Sequence, residues 1–259
     1  MSALFILATF LLFLGMVKYL LSLALRSRTM FFLATAMMFL GFMAITAGFV
    51  QRSMATGHGP YTNLFEYCVF GAWAVCAVFL VAEGYYRIAP LGAFMTPIAF
   101  LFMLVALPLS PEADPTLPVK AYWLTLHRTL SILAFASFAL IFAAGFMYLI
   151  QERQLKRKHI GGWYHRLPPL DVLDDINRKG LIFGFPIITV GAAAAMVWSA
   201  QNYGSVKIEP STMLLIAGWV VYAAASAGRL ALGWRGRRAA RLGVAGFCMI
   251  AAALAAHIR

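Results

Sequence analysis

The sequence contains little charge, and negative charge is the scarcest: nine residues are Asp or Glu, against 21 that are Lys or Arg. Charged residues make up 12% of the 259 positions and hydrophobic residues 63%, which is more apolar surface than a soluble domain of this length needs. A polar stretch of domain size is also missing. These absences exclude an ordinary soluble protein and indicate a membrane protein.

Cysteine is nearly absent as well. Only Cys68, Cys76 and Cys248 occur, with no Cys-x-x-Cys and no Cys/His metal spacing, which argues against thiol–disulfide chemistry and a zinc site. On a helix, Cys68 and Cys76 would lie roughly 12 Å apart, too far for a disulfide. The sequence also lacks a phosphate-binding glycine loop and a nucleophile–base pairing, so we expect no enzyme.

What the sequence does contain is a series of long apolar runs. A helix that spans the bilayer needs about 20 apolar residues, and about eight runs meet this length. We place them at 3–25, 30–50, 63–83, 88–108, 123–150, 180–202, 212–233 and 240–258. The polar stretch 151–179 is expected to be a loop, with or without a short helix. We therefore predict an all-α polytopic membrane bundle that forms a single transmembrane domain over residues 1–259, without an internal repeat.

The basic residues alternate between loops. One set of loops holds most of them: Arg26, Arg28, Arg87, Arg153, Lys156, Arg157, Lys158, Arg166, Arg178, Lys179, Arg235, Arg237, Arg238 and Arg241. The other set carries mainly Arg52, Lys120 and Lys207. Because basic loops face the cytoplasm, both termini are predicted to lie outside, and the net charge of +12 needs no nucleic-acid partner. The first apolar run has no basic residue before it and no cleavage pattern, so we predict a retained helix.

This topology sorts the five histidines. His159 and His165 fall in a basic loop, where an imidazole is most often simply solvated. His58, His127 and His257 all fall near the outer face: in the first external loop, at the start of the fifth helix and at the end of the eighth. An imidazole at a membrane boundary most often simply reaches water or headgroups at little cost, and the alternative is that it ligates heme iron. Position alone leaves both readings open.

The surroundings of His127 strengthen the second reading. Trp123 precedes it by four residues and Ser131 follows by four, so all three share one helix face. Trp123 could stack on a porphyrin and Ser131 could orient the second imidazole nitrogen, although Trp123 alone is also typical of an interfacial aromatic belt.

Glu66 stands near the start of the third helix. A carboxylate there complements the positive helix N-terminus, and an acid inside a membrane is also a candidate functional group. The two interpretations are equally supported by the sequence.

Four stretches, in order, resemble the cytochrome c assembly membrane proteins of the CcsA/ResC/HemX type. "RSMATGHGPYTNLFEYCVFGAW" is similar to the family's external loop with Arg, Gly-His, Pro, Asn and Glu, and "KAYWLTLHRTLSILAF" resembles its Tyr-Trp-Leu-Thr-x-His segment. "LPPLDVLDDINRKGLIFGFPIITVGA" resembles its Leu-Pro-x-Leu loop with the following Gly-Phe-Pro, and "GRLALGWRGRRAARLGVAGF" its last basic loop and helix. Together they cover most of the chain after residue 50.

The resemblance implies a heme-handling protein of the bacterial cytoplasmic (inner) membrane that binds or transfers heme b. Its expected partners, besides the bilayer, are heme and either a cytochrome c assembly protein or a heme-synthesis enzyme. By position, His127 matches the external ligand histidine of the family. His257, or His58 in the matched Gly-His, would be the second iron ligand. Trp123 would stack, and Glu66 with Arg52 would set the external loop or meet a heme propionate.

The chain also departs from the family pattern. The larger members carry a WGxxWxWD signature after the sixth helix, where this chain reads "NYGSVKIEPST". The histidine they place in the seventh helix is replaced by "YAAASAGR". Two alternatives therefore stand beside heme handling: a structural subunit that anchors a membrane or heme-synthesis complex without heme, and a transporter of another small molecule.

Overall fold

The computed structural model describes residues 2–25, 27–57, 59, 62–109, 122–157, 167–204 and 210–257. These residues form eight α-helices and no strand. In chain order the helices are α1 (Ala3–Leu25), α2 (Arg28–Thr56), α3 (Leu64–Tyr86), α4 (Ala89–Ala106), α5 (Tyr122–Lys156), α6 (Leu170–Tyr203), α7 (Pro210–Ala231) and α8 (Arg237–His257). Each apolar run of the sequence corresponds to one helix, which confirms the all-α prediction.

Among the described residues, seven helices are long and apolar enough to cross a membrane, and α4 contributes a shorter apolar stretch, Pro90–Ala106. The chain is thus a multi-pass membrane protein. The loop expected at 151–179 is shorter than predicted: α5 continues to Lys156, and the short helix expected within this stretch is the start of α6 at Leu170. The reason is that polar turns extend both helices beyond their apolar parts, with Asp171 in the first turn of α6, where the helix dipole favours an acid.

Local signals in the sequence set several helix ends. The Ser27 hydroxyl accepts a hydrogen bond from the Met30 amide, and the Asn63 side chain accepts one from the Glu66 amide, so both residues cap helix N-termini. The helices α2 and α6 end at Gly57 and Gly204, whose φ angles of 72° and 67° suit a residue without a side chain.

The helices divide into two compact units, unit 1 over residues 1–120 and unit 2 over residues 121–259. In unit 1, α1 packs along α2, α3 along α4, and α1 also meets α4. In unit 2, α5 packs along α6, α7 along α8, and α5 also meets α8. The two units therefore share one order of neighbouring helices. The expectation of one transmembrane domain over residues 1–259 stays a prediction.

A three-residue brace joins α2 to α3 in unit 1. The Trp73 indole donates a hydrogen bond to the Thr46 hydroxyl at 3.0 Å and stacks on Phe42 with ring centroids 5.4 Å apart. Thr46 in turn donates to the Phe42 carbonyl one turn earlier. The brace satisfies an indole N–H that has no water to bind inside a bilayer.

Unit 2 repeats this brace between α6 and α7. The Trp219 indole donates to the Thr189 hydroxyl at 3.0 Å and its ring lies 5.7 Å from Phe185, whose carbonyl accepts from Thr189. The two segments also align in sequence, "GFMAITAGF" at 41–49 with "GFPIITVGA" at 184–192. Trp73 and Trp219 each lie nine residues after the first residue of their helix. The expectation that the chain has no internal repeat is therefore wrong.

Candidate functional site

His127 lies in the second turn of α5 and is bound to α6. Its Nδ1 is 2.9 Å from the Gly191 carbonyl oxygen. A carbonyl oxygen can only accept, so in the neutral imidazole Nδ1 carries the proton and Nε2 carries the lone pair. A neutral imidazole in this state presents Nε2 to a metal, with its ring orientation fixed by the second nitrogen.

Ser131 also contacts Nδ1 of His127, as its spacing predicted. Its Oγ is 3.3 Å from His127 Nδ1, one turn further along α5. The shorter contact to Gly191 was not predicted, because the sequence does not show which backbone carbonyl a side chain will meet. A Cβ at Gly191 would lie 3.2 Å from the Leu130 Cβ, a tight contact, so the absence of a side chain at this position helps α6 to bring its carbonyl close to α5.

Trp123 lies one turn before His127 and is 36% exposed. Its ring packs edge-on against Tyr122, with centroids 5.4 Å apart, and Tyr122 is itself exposed. Two exposed aromatic rings at a helix start form an apolar surface beside the histidine, and they equally fit an interfacial belt.

His257 is the last residue of α8, and its side chain lies outside what the structure describes. The helix itself runs antiparallel to α5: Gly145 faces Ala240, whereas Phe135 packs on Phe247 with ring centroids 5.2 Å apart. Following this direction, the end of α8 lies at the same end of unit 2 as His127. His58 lies outside the described residues.

Arg52 and Glu66 form the second predicted group, at the end of unit 1 where α2 ends and α3 begins. Arg52 Nε lies 2.5 Å from Glu66 Oε1, and Glu66 is fully buried. The other carboxylate oxygen accepts from both the amide and the hydroxyl of Thr62 at 2.8 Å. Glu66 therefore connects Thr62, just before α3, to Arg52 on α2.

A polar cluster at the opposite helix ends of unit 2 was not anticipated. Asp174 at the start of α6 binds the guanidinium of Arg229 near the end of α7, and its Oδ1 accepts from the Gly236 amide at 2.9 Å. Both ionic side chains are largely buried. The cluster joins α6, α7 and the turn before α8, and we call it the structural clasp. In the sequence, only an acidic turn and a basic loop were visible at these positions.

Comparison with known proteins gives one family and many relatives. The family model described as "Cytochrome C assembly protein" matches residues 61–254. Three relatives are each described as "Cytochrome c biogenesis protein CcsA". That of Crocosphaera subtropica is 28% identical over 256 aligned residues, covering 77% of this chain and 76% of the relative. That of a Synechococcus species is 29% identical, covering 80% and 79%. That of Guillardia theta is 25% identical, covering 92% and 87%.

Proposed function

Since the chain belongs to the cytochrome c assembly protein family, we propose that it handles heme b in a bacterial cytoplasmic membrane, with His127 as an axial ligand of the iron. The observation that carries this proposal is the hydrogen bond from His127 Nδ1 to the Gly191 carbonyl. That bond selects the tautomer whose Nε2 carries the lone pair and is able to ligate iron.

The residues around His127 fit a heme ligand. Bound heme supplies an iron centre that takes axial ligands from the protein. Gly191 and Ser131 both contact the nitrogen opposite the ligating one, as second partners of metal-bound histidines do. His127 is part-buried and the Trp123 ring provides an apolar surface one turn away.

We propose His257 as the second axial ligand, because α8 runs towards the end of unit 2 that holds His127. His58 is the alternative ligand, on the strength of its Gly-His match alone. In unit 1, Arg52 and Glu66 would set the external loop that contains His58, since the Glu66 carboxylate contacts both Arg52 and Thr62. A heme propionate at Arg52 is the other role for this pair.

The distribution of the basic loops supports an orientation in which the helix ends that hold His127 and Arg52 face the outer side of the membrane. A protein with this arrangement holds or passes a cofactor rather than transforming a substrate. Its partner would be a cytochrome c assembly protein or a heme-synthesis enzyme.

A structural role without heme is the second candidate. It is favoured by the sequence "NYGSVKIEPST" after α6, which lacks the aromatic residues of the larger family members. In that case the role of the protein would depend on its stable fold, which is held by the clasp of Asp174 and Arg229 and by the braces of both units. His127 would serve only to pack α5 on α6.

The visible absorption spectrum of the purified protein, oxidised and reduced, separates the two candidates. We expect a Soret band with split reduced bands in the wild type, loss of both in His127→Ala, and retention in His159→Ala, which removes an imidazole from a basic loop. A colourless wild type from cells supplied with heme contradicts heme handling and supports the structural role.

A further inference from the structure

Trp198, near the end of α6, carries a hydrogen-bond donor that the helices around it do not use. Its indole Nε1 is buried and has no hydrogen-bond partner within the part of the chain that the structure describes. By contrast, the indoles of Trp73 and Trp219 each donate to a threonine hydroxyl at 3.0 Å. An indole nitrogen can only donate, and a buried one usually finds an acceptor. The N–H of Trp198 therefore indicates an acceptor that these helices do not supply.

The packing of α5 on α6 sets the level at which Trp198 lies. A Cβ at Gly184 would meet the Phe138 ring, and a Cβ at Gly191 would meet the Leu130 side chain. The two helices are therefore antiparallel, and a step along α6 corresponds to a step of nearly the same length, in the opposite direction, along α5. Trp198 follows Gly191 by about two helical turns on the same face. It is thus level with the first turn of α5.

This level places Trp198 close to the His127 site. Trp123 lies in the first turn of α5, one turn before His127. The two tryptophans are therefore level with each other on neighbouring helices, and both lie nearer to the helix ends than the imidazole does. Between them and His127, the same face of α6 carries only Ala194 and Ala195. A flat ring system beside His127 would meet no bulky side chain on this face of α6 before it reached Trp198.

Trp198 belongs to unit 2 and not to the shared frame. In the repeated segments Gly48 corresponds to Gly191, each two residues after the brace threonine, and on the same alignment Ala55 stands at the position of Trp198. A unit with this brace is thus built without an indole at this point, so the presence of Trp198 in unit 2 calls for another reason.

We propose that the indole N–H of Trp198 donates a hydrogen bond to a propionate of heme that is held by His127, an inference that rests on the proposed function. A propionate is a charged acceptor, and hydrogen bonds to charged acceptors are the stronger ones. The carboxylate would also lie on the side of His127 nearer to the helix ends, where water is within reach. Tyr203 packs edge-on against Trp198 with ring centroids 5.3 Å apart, which helps to hold the indole in one orientation. Trp198 is thus a positioning residue for the porphyrin.

Titration of the full chain in detergent with heme, and separately with heme dimethyl ester, in which both propionates are methylated, tests the proposal. The main variant is Trp198→Phe, which keeps an aromatic ring and removes the N–H. Its control is Trp234→Phe, the same change in the turn before α8, at the opposite helix ends of unit 2, where the ring packs on Gly228. We expect the wild type to bind heme more tightly than the ester. Trp198→Phe should reduce this preference about tenfold, and Trp234→Phe should retain it.

Thermal unfolding of the heme-free proteins separates this role from a structural one. Because Nε1 of Trp198 has no partner among the described residues, Trp198→Phe should unfold at nearly the wild-type temperature. A large drop in that temperature overturns the proposal, since the N–H is then engaged without heme.

The titrations also distinguish this proposal from heme handling itself. A wild type that binds heme and the ester equally well, or a full preference retained in Trp198→Phe, overturns the role of Trp198 and leaves heme handling intact. Loss of the preference in Trp234→Phe overturns it too, because the effect then does not belong to this site. A wild type that binds neither compound overturns both proposals.

Discussion

Units 1 and 2 use the same brace but differ at the ends of the helices it joins. In unit 1, α2 continues beyond the brace residue Thr46 to Arg52, which binds the buried Glu66. In unit 2 the corresponding residues are Ala195 and Thr212, and the polar contact is made instead by His127 with the Gly191 carbonyl. The comparison separates residues that build a four-helix unit from residues that give each unit its own chemistry.

Removing Arg52 is expected to have the largest effect on stability. Arg52→Ala leaves the fully buried Glu66 carboxylate without its cation, which costs about 3–5 kcal/mol of unfolding free energy. Thermal unfolding in detergent measures the loss, and Arg52→Ala/Glu66→Ala should recover much of it. If the double variant is no more stable than Arg52→Ala, the lost stability does not come from the unpaired Glu66 carboxylate.

The two matched glycines should respond differently. In Gly48→Ala the new Cβ would meet the Phe5 ring at 2.6 Å, which is expected to lower stability by about 1–3 kcal/mol and leave the heme spectrum intact. Gly191→Ala pushes α6 from Leu130 and draws the carbonyl away from His127, so heme retention should fall about tenfold. Heme titration and unfolding of both variants check this, and equal heme loss in the two would refute the division of roles.

The brace threonines should respond alike. Thr46→Val and Thr189→Val each leave an indole N–H without its acceptor, at a cost of about 1 kcal/mol in each unit. The melting temperatures of the two variants are expected to fall by similar amounts, with the heme spectrum unchanged. A marked difference between them would show that the braces are not equivalent.

The smallest effect is expected from Ser131→Ala. The hydroxyl contact to His127 Nδ1 is longer than that of Gly191, so its loss should weaken heme retention only about twofold. Heme titration of the variant measures this. A larger loss than in Gly191→Ala would make Ser131, and not the carbonyl, the group that orients the imidazole.

Length and periodicity were enough to predict the eight helices, because each apolar run had to bury its backbone polar groups within one helix. Helix ends were harder: the polar turns at the start of α6 carry no hydrophobic signal, so the helix at Leu170 was expected only as a short helix within a loop and not as the start of the sixth span. The sequence was enough to place Ser131 beside His127 and to group Arg52 with Glu66. The contact with the Gly191 carbonyl could not be predicted, because backbone oxygens have no sequence signature and the contact depends on the packing of α5 on α6.

The repeat was missed for a different reason. Its signal is confined to "GFMAITAGF" and "GFPIITVGA" and to two tryptophans that follow at different chain separations, 27 residues after Thr46 and 30 after Thr189. Helices that need only an apolar surface keep little sequence similarity, whereas a buried indole must keep its acceptor. The hydrogen bonds therefore reveal the relation between the units that hydropathy conceals.

The most direct test of the central claim is imidazole rescue of a ligand-cavity variant. Purified His127→Gly protein is mixed with heme, titrated with imidazole and followed by its reduced and oxidised absorption spectra. If His127 ligates the iron through Nε2, the variant should lose the six-coordinate spectrum and free imidazole should restore it. A variant whose spectrum already equals that of the wild type would contradict the claim.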